Sequence, residues 1–174
     1  MNYFQLFNLP AQFDLNLTEL SSRYIKLQCQ FHPDKHSAGS ERDRLLSVQQ
    51  TANINDAYHN LKQPLLRAEH LLALRGLRID DEQRSFSDPM FLMQQMTLRE
   101  QLADIKTATD PDAVIDNVER ELQQAKKQLL AELTTALAED KPEQDQQAAD
   151  LIRKLKFFYK LQHELELIEQ QLKD

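Results

Sequence analysis

Apolar residues recur at steps of three and four along most of the chain, a spacing that predicts amphipathic helices. The first clear helix is predicted to begin near Leu17, because Asn16 is a favoured N-cap and Glu19 completes a capping-box pattern. Its apolar stripe consists of Leu20, Tyr24, Leu27 and Phe31. The helix should end at His32, because Pro33 disfavours helical geometry in the residue before it and has no amide proton to donate.

A second amphipathic helix should pair antiparallel with the first, across the loop of residues 32–40. Its core candidates are Leu45, Val48, Ala52, Ile54, Ala57, Tyr58 and Leu61. This hairpin leaves His32, Pro33 and Asp34 at its tip, in water. A third helix should begin at Pro64 and stop at Gly76. Its mostly buried positions are Leu65, Leu66, Leu71, Leu72 and Leu74. A short helical turn before the hairpin should cap it with Tyr3, Phe4, Leu6 and Phe7.

Three more helices are predicted in the second half, opened by Asp88-Pro89, by Asp110-Pro111 and near Pro142. The apolar stripe of the second of these is Ile115, Val118, Leu122, Ala125, Leu129, Leu133 and Ala136. That of the third is Leu151, Phe158, Leu161, Leu165, Ile168 and Leu172. Short connections make neighbouring helices antiparallel, so these segments are expected to form a three-helix bundle.

The first helix of this bundle carries apolar residues on two faces. Its core stripe is Phe91, Leu98, Leu102 and Ile105. Leu92, Met93 and Met96 lie roughly 120°, 220° and 160° from Leu98 on a helical wheel, on the same side as Glu100 and Asp104. Either these apolar side chains meet the N-terminal unit, or they form an exposed patch edged with acid, unless an irregular helix end makes the wheel misleading.

Composition supports an all-α fold, because the chain has only two glycines and is rich in leucine and glutamine, which favour helices over strands and tight turns. Residues 1–76 carry a net charge of +1 and residues 77–174 a net charge of −8. This asymmetry predicts an N-terminal unit over 1–76, a linker over 77–88 and a three-helix unit over 89–174. Leu77, Ile79 and Phe86 could dock the two halves together.

The net charge of −7 repels nucleic acids and anionic membrane surfaces, so we expect neither as a partner. The sequence has no apolar run long enough for a membrane span and no basic, apolar leader. Its single cysteine, Cys29, fits a reducing compartment, and we expect a cytoplasmic protein. No nucleophile has a recognisable partner and two glycines cannot form a phosphate-binding loop, so we predict no catalytic residues, no cofactor and no enzyme.

The hairpin has His32-Pro33-Asp34 at its tip and the string Ile54-Asn55-Asp56-Ala57-Tyr58-His59-Asn60-Leu61 on its second helix. With these motifs it resembles the J-domain of DnaJ-type co-chaperones. Further strings are NYFQLF after Met1, PLLRAEHLL after the hairpin, and FLMQQMTLRE and RKLKFF in the second half. They extend the resemblance over nearly the whole chain to the HscB family, the J-proteins of iron–sulfur cluster assembly.

The resemblance implies a co-chaperone that stimulates the ATPase of a DnaK-type chaperone, HscA, and delivers the iron–sulfur scaffold protein IscU to it. The chaperone-binding residues that it implies are His32, Pro33, Asp34, Lys35, Arg23 and Lys26. In physical terms, Asp34 offers a carboxylate to an arginine, while Arg23, Lys26 and Lys35 supply positive potential. The implied scaffold-binding residues are Leu92, Met93, Met96, Glu100, Asp104 and Phe157.

Alternatives exist at the hairpin tip. His32 could be an ordinary C-terminal histidine favoured by the helix dipole, and Arg23 and Lys26 could be a solvated face. His32 and His36 could ligate zinc, but Pro33 breaks the helical spacing between them and only Asp34 offers a third ligand, so we predict no metal site. The alternative function is a helical adaptor with a J-like hairpin that stimulates no ATPase.

The chain departs from the familiar family pattern at two positions. Thr97 stands where an acidic residue is usual, which should remove one polar contact at the scaffold surface. His70 stands where an aromatic residue is usual, which raises the question of how tightly the third helix packs. The start at Met1, directly before the first helix, leads us to expect a bacterial form without a targeting extension.

Overall fold

The computed structural model describes residues 1–36, 38–79 and 88–174, and these residues form helices and no strands. The α-helices are α1 (Tyr3–Leu6), α2 (Leu17–Phe31), α3 (Glu41–Lys62), α4 (Pro64–Leu74), α5 (Pro89–Asp104), α6 (Pro111–Leu137) and α7 (Pro142–Lys173). Short 3-10 segments follow α2 at Pro33–His36 and α5 at Ile105–Thr107. The prediction of an all-α fold is confirmed. None of these helices is both long and apolar enough to cross a bilayer.

Two compact units make up the chain. The first contains residues 1–78 together with residues 136–145, which include the bend between α6 and α7. The second contains residues 79–135 and 146–174. Most of the predicted linker, including Phe86, lies outside the described residues. The grouping of the α6–α7 bend with the N-terminal residues has no counterpart in the sequence prediction.

The first unit is built around the antiparallel pair α2 and α3. Asn16 caps α2 by accepting a hydrogen bond from the amide of Glu19 at 3.1 Å. Along the pair, the rings of Tyr24 and Tyr58 stack with their centroids 3.9 Å apart. Nearer the tip, the Ser47 hydroxyl donates to the Phe31 carbonyl at 2.5 Å. Tyr24 thus pairs with Tyr58, and Phe31, later in α2, pairs with Ser47, earlier in α3. The two helices run in opposite directions, which confirms the predicted antiparallel hairpin.

The N-terminal half of α3 differs from its prediction. Leu45, Val48 and Ala52 are exposed, whereas Ser47 is buried. The face of α3 that meets α2 runs through Ser47, Thr51 and Ile54, which are spaced as one helical stripe. Ser47 and Thr51 both donate to the Phe31 carbonyl, so two hydroxyls here satisfy the end of α2 where apolar contacts were expected.

Helix α4 begins at Pro64 and ends before Gly76, as predicted. Gly76 has φ +87°, and its amide and that of Leu77 donate to the carbonyls of Ala73 and Leu72. These two bonds form the Schellman motif that glycine permits at a helix C-terminus. Leu71 and Leu72 are buried, Leu65 and Leu66 are half-buried, and Leu74 is exposed, contrary to expectation.

A buried arginine, which the sequence did not reveal, links α4 to the loop before α2. Arg67 is 6% exposed, and its Nε donates to the Phe13 carbonyl at 2.8 Å. Its Nη1 donates to the Leu61 carbonyl at 2.7 Å, in the last turn of α3. Burial lowers the pKa of Arg67, an effect that the nearby Asp14 carboxylate opposes. The guanidinium thus stabilises two carbonyls that would otherwise lack these donors.

The second unit is the predicted bundle of α5, α6 and α7. Its core consists of Phe91, Leu98, Leu102, Ile105, Ile115, Val118, Leu122, Phe158, Leu161 and Leu165. Asp88 caps α5 by accepting hydrogen bonds from the amides of Met90 and Phe91. It also accepts one from Lys154 of α7, at 2.9 Å, and this bond lowers the pKa of Asp88. Leu172, predicted to belong to the core stripe of α7, is exposed.

Candidate functional site

The hairpin tip, His32-Pro33-Asp34, lies at the surface of the first unit. His32 ends α2 with an extended ψ of 134°, as expected for a residue before proline. The side chains of His32 and Asp34 are 54% and 91% exposed. His32 Nδ1 accepts a hydrogen bond from the Asp34 amide at 3.2 Å and lies 3.5 Å from Asp34 Oδ2. These contacts order the loop locally, and both side chains remain accessible to a partner.

The basic residues predicted beside the tip divide into two groups. Lys26 and Lys35 are exposed. Arg23 is half-buried and donates to the Phe7 carbonyl at 2.8 Å, to the Asn8 carbonyl and to the Glu19 carboxylate. Arg23 therefore tethers the residues after α1 to α2, and Glu19 offsets its charge. The positive potential beside the tip comes chiefly from the two lysines.

His70, one of the two departures from the family pattern, packs as an aromatic residue would. Its ring stacks on Tyr3 with the centroids 4.4 Å apart, and it lies 5.7 Å from the ring of Phe4. In addition, His70 Nε2 accepts a hydrogen bond from the Tyr3 amide at 3.3 Å, a bond that a phenyl ring could not make. Burial lowers the pKa of His70, which favours the neutral ring that this bond requires. The histidine thus fixes α1 to α4.

In the second unit, α5 displays the apolar patch, defined as Leu92, Met93 and Met96. Their exposed fractions are 41%, 69% and 65%, while Phe91 and Leu98 on the opposite side are buried. Glu100 and Asp104 are exposed further along the helix. The two-faced character predicted for this helix is therefore present. Thr97, the second departure from the pattern, is exposed and donates to the Met93 carbonyl of its own helix at 3.0 Å.

Phe157 of α7 is half-buried beside α5. Its ring meets those of Phe91 and Phe158 edge to face, with centroids 5.7 and 5.4 Å apart. Arg99 of α5 lies over the same ring, with Cζ 5.7 Å from the centroid. Arg99 Nη1 donates to Glu164 Oε2 at 2.8 Å. Arg99 was not among the predicted site residues, although its place in the string FLMQQMTLRE put it within the candidate surface.

Metal chemistry has no support in the described part of the chain. No group of three or more His, Cys, Asp or Glu side chains there is arranged to hold a metal ion. The zinc alternative also involved His36, whose side chain lies outside what the structure describes.

Comparison with known proteins agrees with this picture. Residues 87–166 match the family model described as "HSCB C-terminal oligomerisation domain". The chain is 49% identical over 172 residues to the co-chaperone protein HscB homolog of Vibrio cholerae, covering 99% of each. It is 45% identical over 174 residues to that of Pseudoalteromonas atlantica, covering 100% of this chain and 99% of the relative.

Solved structures give the same result. The chaperone HscB from Vibrio cholerae superposes with a TM-score of 0.84 at 48% identity, and the match covers 99% of each chain. The human co-chaperone protein HscB gives a TM-score of 0.87 at 25% identity, covering 97% of this chain and 82% of the human one. The helical hairpin, its exposed tip and these similarities define a J-domain co-chaperone, which is not an enzyme. Within that class, the chain belongs to the HscB family.

Proposed function

We propose that this co-chaperone stimulates the ATPase of a DnaK-type chaperone, HscA, and delivers the iron–sulfur scaffold protein IscU to it during iron–sulfur cluster assembly in the cytoplasm. The observation that carries this proposal is the exposed His-Pro-Asp tip in a member of the HscB family. The two candidate surfaces lie in different compact units, the tip in the first and the apolar patch in the second.

The chaperone-binding surface is proposed to comprise His32, Pro33, Asp34, Lys35, Lys26 and Arg23. Asp34 offers an exposed carboxylate to an arginine of the chaperone, and Pro33 fixes the shape of the loop. Lys26 and Lys35 supply positive potential toward an acidic surface and should raise the rate of encounter. The ATP-hydrolysing groups belong to the chaperone.

The scaffold-binding surface is proposed to comprise the apolar patch, Glu100, Asp104 and Phe157. Exposed leucine and methionine side chains adapt to a partner and bury apolar area when they bind it. The two carboxylates at the edge of the patch favour a partner with basic groups there and disfavour acidic competitors. Binding at this surface would place the scaffold and the ATPase chaperone on one co-chaperone molecule.

A steady-state ATPase assay with purified HscA tests the proposal. The parent protein should raise the hydrolysis rate, whereas Asp34→Asn and His32→Gln should abolish the stimulation without changing helical content or melting, because both side chains are exposed. Asp116→Asn, at an exposed aspartate of α6, serves as the matched control and should stimulate like the parent. If both tip variants also stimulate like the parent, the tip has no such role. If the parent itself stimulates nothing, a helical adaptor becomes the better description.

A further inference from the structure

Arg99 continues the apolar patch along α5. Leu92, Met96 and Arg99 are spaced as i, i+4 and i+7, so the three side chains share one side of the helix. Arg99 also lies over the ring of Phe157 and donates to Glu164, both of which belong to α7. The guanidinium therefore lies over Phe157, on the side of α5 that also carries Leu92 and Met96 of the apolar patch.

The ion pair of Arg99 with Glu164 contributes little to folding. The two side chains are 48% and 33% exposed, and ion pairs at such positions typically stabilise a protein by less than about 1 kcal/mol. The pair instead holds the guanidinium in a defined orientation against an aromatic face. A guanidinium has five N–H donors. The bond to Glu164 uses one of them, on Nη1. The exposed part of Arg99 can thus donate to a further acceptor.

Arg99 is also distinctive in charge. It is the sole basic residue in the sequence of α5, and it is followed by the acidic Glu100 and, further along, Asp104. A partner attracted only by the acidic edge would be repelled by this cation. A partner that places a carboxylate opposite Arg99 would instead gain a charge-assisted and, with the planar fork, bidentate contact.

We propose that Arg99 is a specificity-determining residue of this surface and that it binds a side-chain carboxylate of the scaffold protein. The inference rests on the proposed scaffold-binding function. A side chain is the expected source of the carboxylate, because several apolar anchors beside Arg99 fit a folded surface better than a chain end. The preorganised guanidinium loses less conformational freedom on binding than a mobile one, which favours affinity as well as selectivity.

Calorimetric titration of purified IscU into Arg99→Gln tests the proposal, because the two explanations predict different affinities. If Arg99 binds a carboxylate, the variant should lose about tenfold in affinity, as is typical for a hydrogen bond to a charged group. If only the acidic edge matters, removing a cation should leave binding unchanged or strengthen it, and this would overturn the inference. Arg120→Gln, at an exposed arginine of α6, is the charge-matched control and should bind like the parent.

Charge reversal identifies the carboxylate. Arg99→Glu should bind IscU much more weakly than Arg99→Gln, and one IscU variant with a single exposed acidic residue changed to arginine should restore binding to it. Restoration by no such variant would exclude a side-chain carboxylate. Failure of the parent to bind IscU at all would refute the proposed function itself. A parent that binds, together with an Arg99→Gln variant that binds equally well, would refute the role of Arg99 alone.

Discussion

Removing the apolar patch should cost binding rather than folding. In the triple variant Leu92→Ala, Met93→Ala and Met96→Ala, the side chains lost are 41%, 69% and 65% exposed in the parent. Full burial of one such side chain stabilises a protein by about 1.5–3 kcal/mol, so the buried portions of all three together contribute at most about 4 kcal/mol. Alanine retains part of that contact and is a better helix former, so the net loss should be smaller still.

The same exposed fractions set the scale of the binding loss. If the scaffold covers what is now exposed, the three side chains would lose about 3–5 kcal/mol of apolar transfer free energy on truncation. At about 1.4 kcal/mol for each factor of ten, the affinity should fall more than about a hundredfold. The loss should persist at high salt, because apolar contacts are not screened.

Calorimetric titration with IscU and urea unfolding of the same sample measure both effects. A double variant, Leu167→Ala and Leu172→Ala, removes similarly exposed leucines from α7 and should keep parental affinity. Unchanged affinity in a folded triple variant would refute the patch as the binding surface. A loss of stability above about 4 kcal/mol would show that these side chains support the fold, contrary to their observed exposure.

Three further predictions concern the first unit. Arg67→Met should lower the free energy of unfolding by about 2–4 kcal/mol, because two buried carbonyls lose their donors, whereas Arg44→Met, at an exposed position, should change it little in the same urea titration. Because burial lowers the pKa of His70, the folded state favours its neutral form; this stabilisation is complete above the unfolded pKa of about 6.5 and is lost as the pH falls through the folded value. The stability of the parent relative to His70→Phe should therefore fall on acidification, and a difference independent of pH would contradict this. Lys26→Gln should reduce ATPase stimulation, most at low salt, without affecting the melting temperature, because Lys26 is exposed. Arg23→Gln should instead lower the melting temperature, because Arg23 tethers the residues after α1. Equal melting temperatures of the two variants would contradict this distinction.

The sequence predicts the helices well where their determinants are local. The start or end of a helix follows from a few adjacent positions when the residues that set it act on their neighbours. Such residues are Asn16 before α2, Asp88-Pro89 before α5 and Gly76 after α4. The patch on α5 is similarly accessible to prediction. Its position away from the bundle core follows from angles around a single helix, whereas its exposure, and not contact with the N-terminal unit, is known only from the structure.

Features that depend on a second element were missed. Leu45 and Val48 fit a helical stripe, but the end of α2 presents the Phe31 carbonyl, and Ser47 binds it in their place. Arg67 and Arg23 look like surface cations in the sequence, because the carbonyls that they bind belong to residues many positions away. Charged residues with such tertiary partners can be recognised only when the chain path is known.

The central claim is that one molecule connects the scaffold to the ATPase chaperone. The most direct test measures HscA ATPase activity at limiting IscU concentration with the parent protein, and then with an equimolar mixture of Asp34→Asn and the triple alanine variant. Each variant in the mixture retains one intact surface. The parent should lower the IscU concentration needed for half-maximal stimulation, and the mixture should not, because neither variant can hold both partners at once. A mixture that matches the parent would contradict delivery by a single co-chaperone molecule.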